Sequence, residues 1–292
     1  MESFNLLLIS LIVLVPSVVC ASSYKIPAIY TFGDSILDAG NNRFNKNCSA
    51  QADFPPYGSS FFHQPTGRFT NGRTVVDFLS QFLGIDIQEP YLEAEMGVAN
   101  GSRKAYPSNG INFASGGSGV LPQTNKDLFI DQIYSLGARR IVIIALGPVG
   151  CVPARMLLPG GRTDRCFGRI NHIVKKYNAG LEGLVKDTPI THPGAIGVYG
   201  EVYKAVQEFR SMPKRYGFFN ITGACCGDGT LRGLVQCGKD SYKVCENPNQ
   251  FLFWDFFHPS EHTYELVSKA LWAGKQSRVR PINLRTLASI SV

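Results

Sequence analysis

The chain reads as an α/β protein, a three-layer sandwich with helices packed about a mostly parallel sheet. Three observations carry that expectation. Apolar runs of strand length alternate with segments of helical period along the whole chain. Arg140–Leu146 contains an unbroken Ile-Val-Ile-Ile run, the pattern of a parallel strand buried on both faces. Glycine-bearing polar turns follow two of the apolar runs, at the strand ends where open α/β sheets place their sites.

Taken in order, Ile26–Phe32 predicts a first buried strand that ends in Gly33-Asp34-Ser35. Thr74–Leu83 carries apolar residues at helical spacing. Ile111–Ala114 reads as a second strand leading into the turn Ser115-Gly116-Gly117-Ser118-Gly119. Leu128–Leu136 reads as a helix closed by Gly137, and Arg140–Leu146 as the next strand. Residues 167–186 form a helix, Ala195–Tyr199 a strand, and Ser260–Ala273 a helix near the end of the chain. No repeat, low-complexity linker or internal boundary appears, so residues 22–292 are read as one domain.

Leu6–Val19 is an apolar run followed by the small residues Cys20-Ala21-Ser22-Ser23, the pattern of a secretory signal covering residues 1–21. It is too short to span a bilayer comfortably, so no membrane span is expected in the mature protein. The sequons at Asn47, Asn100 and Asn220 agree with a secreted, extracellular glycoprotein. Removing the leader removes Cys20 and leaves seven cysteines, enough for three disulfides and one free thiol. Cys151 and Cys166 are plausible partners, while the spacing of Cys225, Cys226, Cys237 and Cys245 lacks the regular pairs of a zinc site. The net charge of +7 is scattered in pairs such as Arg139-Arg140, which does not make a nucleic-acid footprint.

The chemistry concentrates in two places. Gly33 to Asn42, Gly-Asp-Ser-Ile-Leu-Asp-Ala-Gly-Asn-Asn, offers Ser35 as a nucleophile. Phe253 to Pro259 offers Asp255 and His258 in an Asp-x-x-His spacing. A serine hydroxyl needs an imidazole to take its proton and a carboxylate to hold that imidazole. Each motif alone also suits an ordinary turn or helix cap. No Gly-x-Ser-x-Gly elbow is present.

These motifs, with Pro65–Arg73, Ile111–Gly119, Leu136–Arg139 and Leu146–Pro153, resemble those of the plant GDSL esterase/lipases, a branch of the SGNH hydrolases. The resemblance implies an SGNH (flavodoxin-like) fold and hydrolysis of small-molecule or polymeric carboxylic esters through an acyl-enzyme, with no metal and no organic cofactor. By position it makes Ser35 the nucleophile, His258 the base and Asp255 its orienting acid. Gly117 and Ser35 would supply oxyanion N–H groups. The family's third oxyanion donor, an asparagine in a Gly-x-Asn-Asp block, has no counterpart, because the chain contains no Asn-Asp dipeptide. Only 16 residues lie between Gly119 and Leu136, too few for the helix–strand–helix that would carry the block. The fold is therefore expected to lack one strand and its flanking helices, leaving a gap beside the strand that delivers Ser35. A product impaired in catalysis, acting as a secreted binding glycoprotein, is the competing expectation.

Overall fold

A computed structural model describes Tyr24 and residues 26–45, 47–119, 129–239 and 241–291. The expected leader at residues 1–21 and the junction Leu121–Leu128 lie outside these residues.

The elements run β1 (Ile29–Thr31), α1 (Val75–Leu83), α2 (Tyr91–Ala99), β2 (Gly110–Asn112), α3 (Phe129–Ser135), β3 (Arg140–Ile144) and α4 (Pro153–Met156). They continue with α5 (Gly168–Thr191), β4 (Ile196–Gly200), α6 (Val202–Ser211), β5 (Asn220–Ala224), β6 (Cys226–Gly227), β7 (Lys243–Val244), β8 (Phe251–Phe253), α7 (Glu261–Ala273), β9 (Val279–Arg280) and α8 (Leu284–Ser289). Strands β1 and β2, β3 and β4, and β5 and β8 pair in parallel, whereas β9 and the short β6–β7 ribbon pair antiparallel. The architecture is the expected α/β sandwich.

The sheet is not continuous. Among the described residues β1 pairs only with β2, and β3 only with β4. A parallel strand in a complete sandwich is covered on both faces. Here Tyr30 and Phe32 on one face of β1 are 65% and 38% exposed. The expected gap beside the Ser35 strand is thus present, and its mark is aromatic surface left in solvent.

The main core gathers most of the helices around β8 and β4. Val75 and Phe78 of α1, Val206 and Phe209 of α6, Leu252 of β8, and Val267 and Leu271 of α7 form one buried cluster. Helix α1 begins where its sequence says it should, with Thr74 and Asp77 forming a reciprocal capping box. Gly137 closes α3 with φ of 99°. The helices α2 and α6 and the strands β5 and β8 escaped the sequence reading. In α6 the buried residues Tyr203, Ala205, Val206 and Phe209 sit among Lys204, Gln207, Glu208 and Arg210, and the apolar face is narrow. Strand β5 is Asn-Ile-Thr-Gly-Ala, whose composition gives little strand signal.

Three disulfides join Cys151 to Cys166, Cys225 to Cys245 and Cys226 to Cys237, and Cys48 is free. A second cluster packs around the latter two bridges, with Tyr57, Phe69 and Trp254. Among the described residues no helix is long and apolar enough to cross a membrane.

Arg68 ties these parts together. Its guanidinium forms a two-pronged ion pair with Asp77, at 2.8 and 2.9 Å, and donates to the carbonyls of Ala39 and Gln88. Both side chains are buried, so lysine, which lacks the planar fork, leaves acceptors unpaired. Arg68→Lys is expected to lower unfolding stability by about 2–4 kcal/mol, read as a shift in the urea midpoint without a change of slope.

Candidate active site

The loop after β1 is shaped by Asp34. Its carboxylate accepts the Ile36 N–H at 3.0 Å, and its carbonyl accepts those of Leu37 and Asp38. The turn leaves Ser35 at its crest, half-buried. The β1–β2 ladder continues past the strands, through Phe113 N–H to Thr31 and Ser115 N–H to Gly33. That continuation carries the glycine-rich turn to the Ser35 loop. Gly117 has φ of 92° and open space where a side chain would stand. Neither its N–H nor that of Ser35 has a hydrogen-bond partner among the described residues.

A buried polar lattice locks the two loops together. Asp38 is fully buried and accepts the N–H groups of Gly40, Asn41 and Gly116. Burial pushes its carboxyl up, an effect those backbone donors and the nearby Arg68 only partly offset. Asn41 donates to the carbonyls of Asn112 and Ala114, and Asn42 to those of Ala50 and Gly116. Gly40 has φ of 121°, and a Cβ there would stand 2.2 Å from the Thr66 carbonyl. The ten-residue motif is long because most of it is scaffold for one serine. The glycine turn and Asn47–Ala50 line a shallow depression of about 450 Å³.

The other half of the site comes from β8. Leu252, Phe253 and Trp254 are buried. Beyond them Asp255 accepts the N–H groups of Phe257 and His258, a tight turn that presents the imidazole. His258 Nδ1 lies 2.9 Å from both Asp255 carboxylate oxygens, and its Nε2 lies 2.9 Å from Ser35 Oγ. Phe69 and Phe257 flank the ring at 4.9 and 5.5 Å between centroids. Asp255 does not cap a helix, because Ser260 caps α7. The segment Pro65–Arg73 braces both halves. Arg68 holds the Ala39 carbonyl, Thr70 donates to Pro259, Asn71 accepts from Glu261, and Arg73 pairs with Glu261.

Residues 29–128 and 122–271 match the profile described as GDSL-like Lipase/Acylhydrolase. The chain belongs to this family of ester-bond hydrolases. It is 48% identical to GDSL esterase/lipase 6 of Arabidopsis thaliana, over 99% of this chain and 98% of that protein. It is 31% identical to GDSL esterase/lipase At4g16230 of the same organism, over 98% and 97%.

The first of those alignments runs over 355 positions, whereas the chain has 292 residues, so at least 63 positions fall opposite gaps in this GDSL chain. The two profile matches meet at residues 122–128, where the missing block was expected. The open edges of β1 and β3 are the structural counterpart of that gap.

Sequence reading named Ser35, Gly117, Asp255 and His258, and it missed Asp38, Asn41, Asn42, Tyr57 and Arg68. The signal for these five was in the quoted motifs or near them, but nothing in a sequence separates a scaffold asparagine from an exposed one. Asn47 and Asn100 are exposed, while Asn220 is half-buried at the start of β5 with its Oδ1 accepting two backbone N–H groups.

Burial alone would raise the Asp255 carboxyl, yet the His258 charge and hydrogen bond, the Tyr57 hydroxyl and the Phe257 N–H hold it below its ordinary value of 3.8. A carboxyl depressed on folding lends stability that is complete above its unfolded value and is lost as pH falls through the folded value. Acid titration of the urea midpoint should therefore fall below pH 3.8, and Asp255→Asn should flatten that part of the curve.

Proposed function

We propose that this chain is a secreted carboxylic-ester hydrolase in which Ser35 attacks, His258 carries the proton and Asp255 orients the imidazole. The observation that carries the reading is the 2.9 Å approach of His258 Nε2 to Ser35 Oγ, between residues 223 positions apart. Such a contact is not produced by local chain geometry.

In the first half-reaction Ser35 Oγ bonds to the ester carbonyl carbon while its proton passes to His258 Nε2. The developing oxyanion accepts from the Ser35 and Gly117 N–H groups, both without partners among the described residues. Collapse breaks the C–O bond, and His258 returns the proton to the departing alcohol. Water, activated by the same imidazole, then releases the carboxylic acid from the acyl-enzyme. An oxyanion site with one donor fewer than the family pattern is slower by about 10²–10³-fold. Small-molecule and polymeric esters present the same carbonyl to this arrangement. The apolar leader, the three disulfides and the exposed sequons at Asn47 and Asn100 support secretion and glycosylation.

A second reading, a secreted glycoprotein that binds an ester without turning it over, is favoured by the positions missing opposite the relatives and by the uncovered β1 face.

The two readings separate in one experiment. Mature protein from a secretory host is treated with a fluorophosphonate probe beside Ser35→Ala. Labelling that disappears in the variant is expected; a cooperatively folded protein that takes no label overturns the hydrolase reading. Asp255→Asn should slow labelling by about 10⁴-fold, measured as a second-order rate at pH 7.

A further inference from the structure

The Asp255 carboxylate is fully buried, and its two oxygens are held differently. Oδ1 accepts two backbone N–H groups at 2.8 and 2.7 Å. Oδ2 accepts the Tyr57 hydroxyl at 2.6 Å, the shortest hydrogen bond the carboxylate makes, and otherwise meets only the imidazole. The distance is that of an O–H donating to an ionised oxygen. Tyr57 lies 198 positions from Asp255 and is itself buried, with its ring edge-on to Phe54 and Trp254.

The phenol stays protonated over the working range, because burial first, and then the Asp255 charge and hydrogen bond, push it well above its ordinary value. Gln236, whose nearby side chain offsets that rise only slightly, donates its amide to the Gln51 carbonyl. Gln236 directly precedes Cys237 of the Cys226–Cys237 bridge. The ring is thus packed in the disulfide-stapled cluster, and its hydroxyl is aimed at Asp255.

We infer that Tyr57 is a positioning residue of this site, fixing the orientation and charge of Asp255 and thereby setting the basicity of His258. The inference rests on the hydrolase reading for its consequence in activity, but not for the coupling itself. A hydroxyl donating to Oδ2 draws negative charge away from the imidazole. Removing it leaves a more basic carboxylate beside His258, which stabilises imidazolium and raises the pH at which the neutral base forms. A tyrosine that merely fills space, or merely satisfies its own buried hydroxyl, predicts no such movement.

The test reads His258 directly, by NMR titration of its ring protons in the Ser35→Ala protein, where turnover is not needed. Tyr57→Phe should raise the His258 midpoint by roughly half to one pH unit. Placing 3-fluorotyrosine at position 57, which keeps the ring and makes the phenol a stronger donor, should move the midpoint down. With Ser35 present, Tyr57→Phe should shift the acid limb of fluorophosphonate labelling upward and lower its plateau about tenfold. His258 midpoints that coincide in all three proteins overturn the inference. If Tyr57→Phe does not fold, the fluorotyrosine protein decides by the sign of its shift. Shifted midpoints without labelling of any protein carrying Ser35 would uphold the coupling while removing the hydrolase reading.

Discussion

The contact between Ser35 and His258 joins segments 223 positions apart, and the rest of the structure answers the question of how so distant a pair is held at 2.9 Å. In a continuous parallel sheet, neighbouring strands would fix that separation. Here the β1–β2 pair and the β3–β4 pair are separate, so the task falls to side chains. Pro65–Arg73 is the bridge: Arg68 grips the Ser35 loop at Ala39, and Thr70, Asn71 and Arg73 grip the chain just beyond His258. Because these bonds are largely buried, each is strong and costly to leave half-made.

The same economy shapes both arms. On the serine side, Asp38, Asn41 and Asn42 spend their hydrogen-bonding capacity on backbone groups of two loops. Among the described residues, the N–H groups of Ser35 and Gly117 stay unengaged beside this lattice. On the histidine side, Asp255 is ringed by donors, and the aromatic and disulfide cluster around Trp254 keeps water away from it. A dry, fully satisfied carboxylate is a stronger orienting group than a solvated one.

The missing block touches the molecule where these braces are absent. Beside the gap, Tyr30 of β1, Phe32 just after it and Val142 of β3 are exposed, whereas the large apolar side chains of α1 and α7 are covered. The core formed by α1, α6, α7 and β8 stays buried, and it also takes in Val198 of β4. The proposed relay can therefore persist in a chain whose sheet is interrupted, with the deficit confined to oxyanion stabilisation and to an apolar face in water.

Much of this was legible in residue order. Periodicity placed α1, α3, β3, α5, β4 and α7, because each has a broad apolar face or an unbroken apolar run. The helices α2 and α6 and the strands β5 and β8 were not legible, since elements of three to ten residues say little without their partners. The motifs named Ser35, Asp255, His258 and Gly117, and the absent Asn-Asp dipeptide with the short interval from Gly119 to Leu136 exposed the lost block. What the sequence determined by itself was the inventory of chemistry and the local turns that present it, because backbone turns and capping depend on neighbours in the chain. What only the tertiary structure decided was which buried polar residues serve that chemistry. Tyr57 meets Asp255 across 198 positions and Asn42 meets Gly116 across 74. Such partnerships arise from burial, which forces every polar group to find a partner wherever the fold brings one.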